Sequence, residues 1–293
     1  MSDITCFGEV LWDEFPEHKK IGGAPLNVGI RLNYFENNVS VISRIGADED
    51  GRGIYEYIKQ NGINTDGLQV DDKLKTGTVK VVLDSKGSAS YDIMYPRAWD
   101  HIELSSTAVK TVKASDAFIY GSLIARTETS KETLYELLKI ASYKIFDVNL
   151  RAPYYAKDVL LYLMNQADFI KFNDDEIYEI SKMFGSKTIG LEHTIQFMAK
   201  KTGTNAICVT KGKHGAVLYI DGVFYHNCGY HIDVVDTVGA GDSFLAGLTN
   251  MLLKRAQPQD AIDFACAIGA LVASKAGANP EINQKEIELM MTL

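Results

Sequence analysis

The sequence predicts an α/β fold: a central, mostly parallel sheet flanked by helices on both faces, with a small antiparallel β unit attached. Three observations predict it. Short apolar runs of strand length recur along the chain, helical stripes lie between many of them, and one segment alternates apolar and polar residues about a tight turn. Strand–helix alternation builds a covered parallel sheet, whereas alternation with period two about a turn builds a hairpin.

The apolar runs are ITCFG (4–8), VSVISRIG (39–46), AFIYG (117–121), KIFDVN (144–149), FIKFN (169–173), AICVT (206–210) and AVLYI (216–220). Strands buried on both faces read as nearly continuous apolar runs, and parallel neighbours need a crossover between them. The helical stripes supply the crossovers. Ala24, Val28, Leu32 and Phe35 share one helix face, as do Leu134, Leu137, Leu138 and Ala141, and again Phe244, Leu248, Met251 and Leu252. FACAIGALVAS, Phe264 to Ser274, predicts a buried helix rich in small residues. It is too short for a bilayer, which takes roughly 20 apolar residues. Thr76 to Pro96 alternates on both sides of DSKG and predicts a hairpin that serves as a lid or an interface. No repeat or Pro/Gly/Ser-rich linker divides the chain, so 1–293 reads as a single α/β domain.

Composition narrows the function classes. Of 293 residues 46% are hydrophobic and 23% charged, as in soluble globular proteins. A net charge of -8 argues against nucleic acid or an anionic membrane as the main partner. A small anionic ligand is still compatible, because a local site can oppose the global charge. The cysteines Cys6, Cys208, Cys228 and Cys266 form no Cys-x-x-Cys pair and read as reduced residues of a cytoplasmic protein. MSDITCFGEV has an early acid and no basic n-region, so it does not read as a signal peptide.

Ligands of open α/β sheets bind at the carboxyl ends of the strands. The P-loop, the zinc-protease helix and the nucleophile elbow are missing, and the dinucleotide fingerprint fails because Phe244 stands at its last glycine. The informative stretch is VVDTVGAGDSFLAG, Val234 to Gly247. Small residues at 239–241 enter the helix that carries Phe244. A helix N-terminus offers unpaired N–H groups and a partial positive charge, and small residues let a phosphate approach them. Asp242 beside them either caps the helix after a glycine turn or orients an attacking hydroxyl and takes its proton.

DTVGAGDSF resembles the C-terminal signature of the ribokinase-like (PfkB-type) carbohydrate kinases. GEVLWDEFP (8–16) followed by IGGAPLNVGIRL (21–32) is similar to the fructokinase branch, and RIGADEDGRG (44–53) resembles the family's N-terminal signature. FDVNLR (146–151), KFNDDE (171–176) and VTKGKHGA (209–216) follow in family order and spacing. The resemblance covers essentially the whole chain. It implies a ribokinase-like fold with a lid over roughly 10–23 and 74–100, and transfer of the γ-phosphate of ATP to a sugar hydroxyl.

Carried over by position, the resemblance implies that Asp242 is the catalytic base and that the N–H groups of Gly239, Ala240 and Gly241 form an anion hole. Asp236 matches a position near a monovalent-cation site, so either potassium assists there or the residue caps a turn. Asn173 and Glu176 are associated with Mg2+, largely through water, against the alternative of a first-turn acid facing the helix dipole. Thr210, Lys211, Gly212 and Gly215 belong to the nucleotide-side loop, with Lys171 or Lys211 approaching the phosphates. The sugar is expected on Asp13, Gly22, Gly23 and Asn27, joined by Asn149, Arg151 and, from the lid region, Arg97. Ala98-Trp99-Asp100 departs from the commoner fructokinase form, which leaves Trp99 either over the sugar or packed in the lid base. The implied activity is phosphorylation of D-fructose. The alternatives are a kinase for 2-keto-3-deoxygluconate, ribose or a nucleoside, and a non-catalytic sugar-binding regulator. The implied partners are a small sugar and ATP, with neither nucleic acid nor membrane, and a second copy of the chain joined through the lid.

Overall fold

The structure, a computed structural model, describes residues 1–83 and 89–292; the predicted DSKG turn at 84–87 lies outside them. In chain order the first elements are β1 (Asp3–Phe7), β2 (Leu11–Glu14), β3 (Lys19–Gly22), α1 (Ala24–Tyr34), β4 (Asn38–Gly46), α2 (Glu49–Gln60), β5 (Leu68–Asp71), β6 (Gly77–Leu83) and β7 (Ala89–Ile93). The middle of the chain forms α3 (Ser106–Ala114), β8 (Ala117–Gly121), α4 (Glu128–Leu138), β9 (Lys144–Asp147), α5 (Lys157–Gln166), β10 (Phe169–Asn173), α6 (Asp174–Met183) and α7 (Leu191–Thr202). The last elements are β11 (Ala206–Thr210), β12 (Ala216–Ile220), β13 (Val223–Asn227), α8 (Ala240–Leu253), α9 (Pro258–Ala273) and α10 (Gln284–Met291).

Every apolar run named above forms a strand. The main sheet has the order β13-β12-β11-β10-β9-β8-β1-β4-β5, parallel from β5 through β11 and antiparallel at β12 and β13. Alternate residues feed two cores. Phe7, Phe118, Tyr120, Phe146 and Phe172 point to the face covered by α3 to α7. Ile4, Cys6, Ile119, Ile145 and Phe169 point to the face covered by α1, α2, α8 and α9. Helix α8 lies between α1 and α9, and its Gly247 lets the backbone of Ala265 come close. Helix α4 stops at Leu138, so Ala141 of the predicted stripe falls beyond it. Strands β2, β3, β5 and β13 are additional to the predicted runs.

A second sheet, β3-β2-β6-β7, stands off the first. Its β2–β3 and β6–β7 pairs are antiparallel hairpins, joined by a parallel β2–β6 contact. Trp99 lies under this sheet and is wholly buried. A Cβ added to Gly77 would stand 2.6 Å from the Trp99 ring, so only glycine lets β6 pass over it. The Arg126 guanidinium lies 4.0 Å from the ring centroid on another side and pairs with Asp100 at 2.6 Å, both side chains buried. Of the two expectations for Trp99, the structure places it in packing. Among the described residues no helix is long and apolar enough to cross a membrane.

Replacing Trp99 by alanine leaves a cavity that its stacked and buried neighbours cannot close. The expected loss of stability is about 3–5 kcal/mol, read from the urea midpoint; a loss below about 1 kcal/mol would contradict the packing described.

Candidate active site

The N-terminus of α8 is fixed by one glycine. Gly239 has φ +74°, in the left-handed region, and a Cβ there would lie 2.6 Å from the backbone of Ala278. Both the conformation and the space exclude a side chain. The helix starts at Ala240 and carries Asp242 in its first turn. Helix α1, packed against α8, brings Asn27 to it. Asn27 Nδ2 donates to Asp242 Oδ2 at 2.9 Å, and Asn279 Nδ2 donates to Asn27 Oδ1 at 3.0 Å. The start of α1 is set in turn by Gly23, whose φ is +111° and whose missing Cβ would fall 2.4 Å from the Glu9 carbonyl.

Strand register supplies the next pair. Lys171 on β10 lies opposite Asp147 on β9, and both side chains point to the α8 face. Their Nζ–Oδ1 distance is 2.8 Å, and both are more than nine-tenths buried. A Cβ on Gly241 would stand 3.8 Å from Lys171 Nζ, so the ammonium group sits at the first turn of α8. Burial pulls the Lys171 pKa down, but Asp147 and Glu176 outweigh it and leave it above the ordinary range. Glu176 caps its own helix. Its Oε2 accepts from Asn173 N and its Oε1 from Leu150 N, each at 2.8 Å, while Asn173 Oδ1 accepts from Glu176 N at 2.8 Å.

Three carboxyls near these groups are pushed upward. Burial raises Asp242 to about 6; Asp147 adds to the rise, and Asn27, Lys171 and Arg151 oppose it. Burial raises Asp13, on β2, to about 6, opposed by Arg151 and Lys20. Glu9, just after β1, is raised by burial to about 7 despite Arg151 and its backbone donors. Arg151 is thus the cation that these three acids share; it is exposed, and among the described residues its side chain hydrogen-bonds only to the Leu150 carbonyl. Gly22 packs against Asp13, where a Cβ would meet Oδ2 at 2.5 Å.

The other expected residues divide. Asn149 follows β9 with φ +39°, a left-handed conformation that asparagine tolerates better than most residues, and its carbonyl accepts from Ser122 Oγ at 3.4 Å. Arg97 caps the short turn of Ala98–His101 and donates Nη1 to Pro96 O; among the described residues it touches none of the site carboxyls. Asp236 holds a loop, accepting from Val238 N and Gly277 N at 3.0 Å each. Thr210 ends β11, and Lys211 N donates to Gly215 O at 2.7 Å to close the following loop. Gly212 has φ +53° and open space around it, whereas Gly215 packs against the backbone of Asn227 and Gly229. Among the described residues no group of three His, Cys, Asp or Glu side chains is placed to hold an ion.

Three residues with polar roles escaped the sequence reading: Glu9, Asp147 and Asn279. Glu9 and Asp147 stand inside motifs already noted, and both line a small cavity of about 10 Å³. Their Oε2 and Oδ2 atoms are buried without a hydrogen-bond partner among the described residues. The available signal was an acid closing an apolar strand run, at Glu9 after ITCFG and at Asp147 in KIFDVN. Nothing in the local sequence marks Asn279.

The first turn of α8 thus carries Asp242, a carboxyl of raised pKa, beside the Lys171 ammonium group, and within it Ala240 N donates to Thr237 O at 3.3 Å. Residues 3–285 match the model of the pfkB family carbohydrate kinases. A probable chloroplastic fructokinase of Arabidopsis thaliana is 29% identical over 313 residues, covering 97% of this chain and 80% of that protein. An uncharacterized sugar kinase of Pyrococcus horikoshii superposes with a TM-score of 0.85 at 25% identity, covering 98% of this chain and 99% of that one. A double-mutant fructokinase of Vibrio cholerae, solved with fructose, ADP and a potassium ion, has a TM-score of 0.85 at 22% identity, covering 99% and 98%, and shows the shared fold.

The raised carboxyls carry a stability signature. A folded-state pKa above the unfolded value means that the fold binds the proton more tightly. The stabilisation is full below the unfolded pKa and is lost as pH rises through the folded pKa. For Asp242 the window runs from the ordinary 3.8 to about 6. Asp242→Asn is therefore expected to melt at a higher temperature than the wild type at about pH 8, with the gap closing toward about pH 4. An equal or lower melting temperature at the higher pH would refute the buried-charge account.

Proposed function

The chain belongs to the pfkB family of carbohydrate kinases, and on that premise we propose that it transfers the γ-phosphate of ATP to a hydroxyl of D-fructose, giving fructose 6-phosphate and ADP. The observation that carries the reading is the position of Asp242, in the first turn of α8 with Lys171 beside the same turn. Asp242 Oδ2 is engaged by Asn27, which leaves Oδ1 for the substrate hydroxyl. The hydroxyl oxygen bonds to the γ-phosphorus as its proton passes to Asp242. The bond from that phosphorus to the β,γ-bridging oxygen breaks, and its electron pair leaves with ADP. Charge on the transferring group meets the N–H groups at 239–241 and the Lys171 ammonium.

In this reading Asp13, Gly22, Gly23, Asn149 and Arg151 surround the sugar, and Thr210, Lys211, Gly212 and Gly215 meet the nucleotide. Asn173 and Glu176 would hold magnesium through water, and the ion would supply neutralisation of phosphate charge. The loop around Asp236 takes a potassium ion. A lid formed by roughly 10–23 and 74–100 excludes water from the transfer and pairs with a second copy. Fructose is favoured by GEVLWDEFP and GGAPLNV together with the fructokinase relatives.

A panel of fructose, ribose, 2-keto-3-deoxygluconate and adenosine with ATP, read with and without potassium, tests the substrate. Fructose is expected to give the highest kcat/KM; faster turnover of ribose or adenosine would overturn the fructose assignment. Asp242→Asn is expected to lower kcat by at least ~10²-fold, the scale of a positioned acid–base group. Activity equal to the wild type would remove Asp242 as base. The wild-type rate should fall as pH drops through about 6, because the base works only when ionised. A rate unchanged well below that pH would contradict the role.

A further inference from the structure

The loop after α9 reaches Asp242 through one intermediary, and it is held unusually firmly. Arg31, buried in α1, donates Nη2 to Pro280 O at 2.9 Å and Nε to Ser243 Oγ at 3.2 Å. Lys275 Nζ donates to Glu281 O at 2.7 Å, Gly277 N donates to Asp236 at 3.0 Å, and Ala278 abuts Gly239. Asn279 therefore stands at a set place relative to the first turn of α8.

The hydrogen bonds through Asn279 have only one consistent direction. An ionised carboxylate accepts and never donates, so Asn27 must turn its Nδ2 to Asp242. Its Oδ1 then faces Asn279, which must donate. With the opposite amide orientation, Asn27 would set oxygen against oxygen at Asp242 and N–H against N–H at Asn279. The Oδ1 of Asn279 is itself buried without a partner among the described residues. An amide that leaves a buried acceptor unpaired is a poor device for stability alone.

We propose that Asn279 is a positioning residue for phosphoryl transfer: it locks the Asn27 amide so that Asp242 keeps Oδ2 on a fixed donor and turns Oδ1 to the hydroxyl. This rests on the reading of Asp242 as the base. The charged groups that face Asp242 are Asp147 and Glu9, which repel it, and Lys171 and Arg151, which attract it. None of them is altered by a change at Asn279.

The test compares N279A, N279D and D242N with the wild type in kcat and kcat/KM for ATP and fructose across pH, beside thermal melting. Without its lock, Asn27 no longer holds a donor on Asp242. N279A should lose about 10-fold in kcat, the worth of one hydrogen bond to a charged group, and its acid limb should move to higher pH. N279D keeps the size of the side chain, so a purely structural role predicts the milder defect. The lock predicts the reverse: the new carboxylate accepts from Asn27, flips it and presents its oxygen to Asp242. N279D should then be slower than N279A above neutral pH and gain on it as the pH falls and the new carboxyl is protonated. N279D as active as N279A at alkaline pH, with the acid limb of N279A unmoved, would overturn the proposal. Should N279D fail to fold, the acid limb of N279A decides alone. Full activity in D242N would sink the base and the lock together, whereas an inactive D242N beside wild-type behaviour in both Asn279 variants would sink the lock only.

Discussion

The carboxyl end of the sheet is organised around one buried ammonium group. Lys171 Nζ sits below the first turn of α8, in ion pair with Asp147 and within reach of Glu176 and Asp242. A buried cation is tolerated only when it is paired, and losing either partner of such a pair is costly. Two positive features, the ammonium and the helix N-terminus, are therefore held side by side by surrounding carboxyls. Burial, with Asp147 adding to it, pushes Asp242 up, which makes it a better proton acceptor than an exposed aspartate would be.

Every other feature of the site follows from keeping these groups in place. The β9–β10 register puts Asp147 opposite Lys171, and a slip of either strand by one residue would send its member of the pair to the opposite face. Glu176 reaches the pair because it caps α6, which starts where β10 ends. Gly239 lets α8 begin against the loop at 278, and Gly23 lets α1 begin against Glu9. The two helices then meet through Asn27 and Asp242, contributed from opposite ends of the chain.

The second sheet hangs on a different set of interactions. Trp99, Arg126 and Asp100 form a buried polar–aromatic base beneath it, and Gly77 lets β6 cross that base closely. The β2–β3 hairpin of the same sheet carries Asp13 and Gly22, which meet each other there. The hairpin is tied to that base through the β2–β6 pairing.

Much of this was legible in the sequence because it depends on local pattern. Apolar runs and helical stripes announced the parallel sheet, since strands covered on both faces have no polar side to show. The glycine turn and Asp242 announced a phosphate-friendly helix start, because backbone conformation and charge there are set by adjacent residues. What the tertiary structure decided was who faces whom. Trp99 reads equally well as a sugar platform or a core residue until its neighbours are known. Asp147 and Glu9 look like ordinary strand-end acids until register and burial bring them beside Lys171 and Arg151. Asn279 has no local signature at all, because its place depends on Arg31 and Gly239, far away in the chain. Contacts between distant segments leave no period or spacing in a single sequence, so they appear only when the chain has folded.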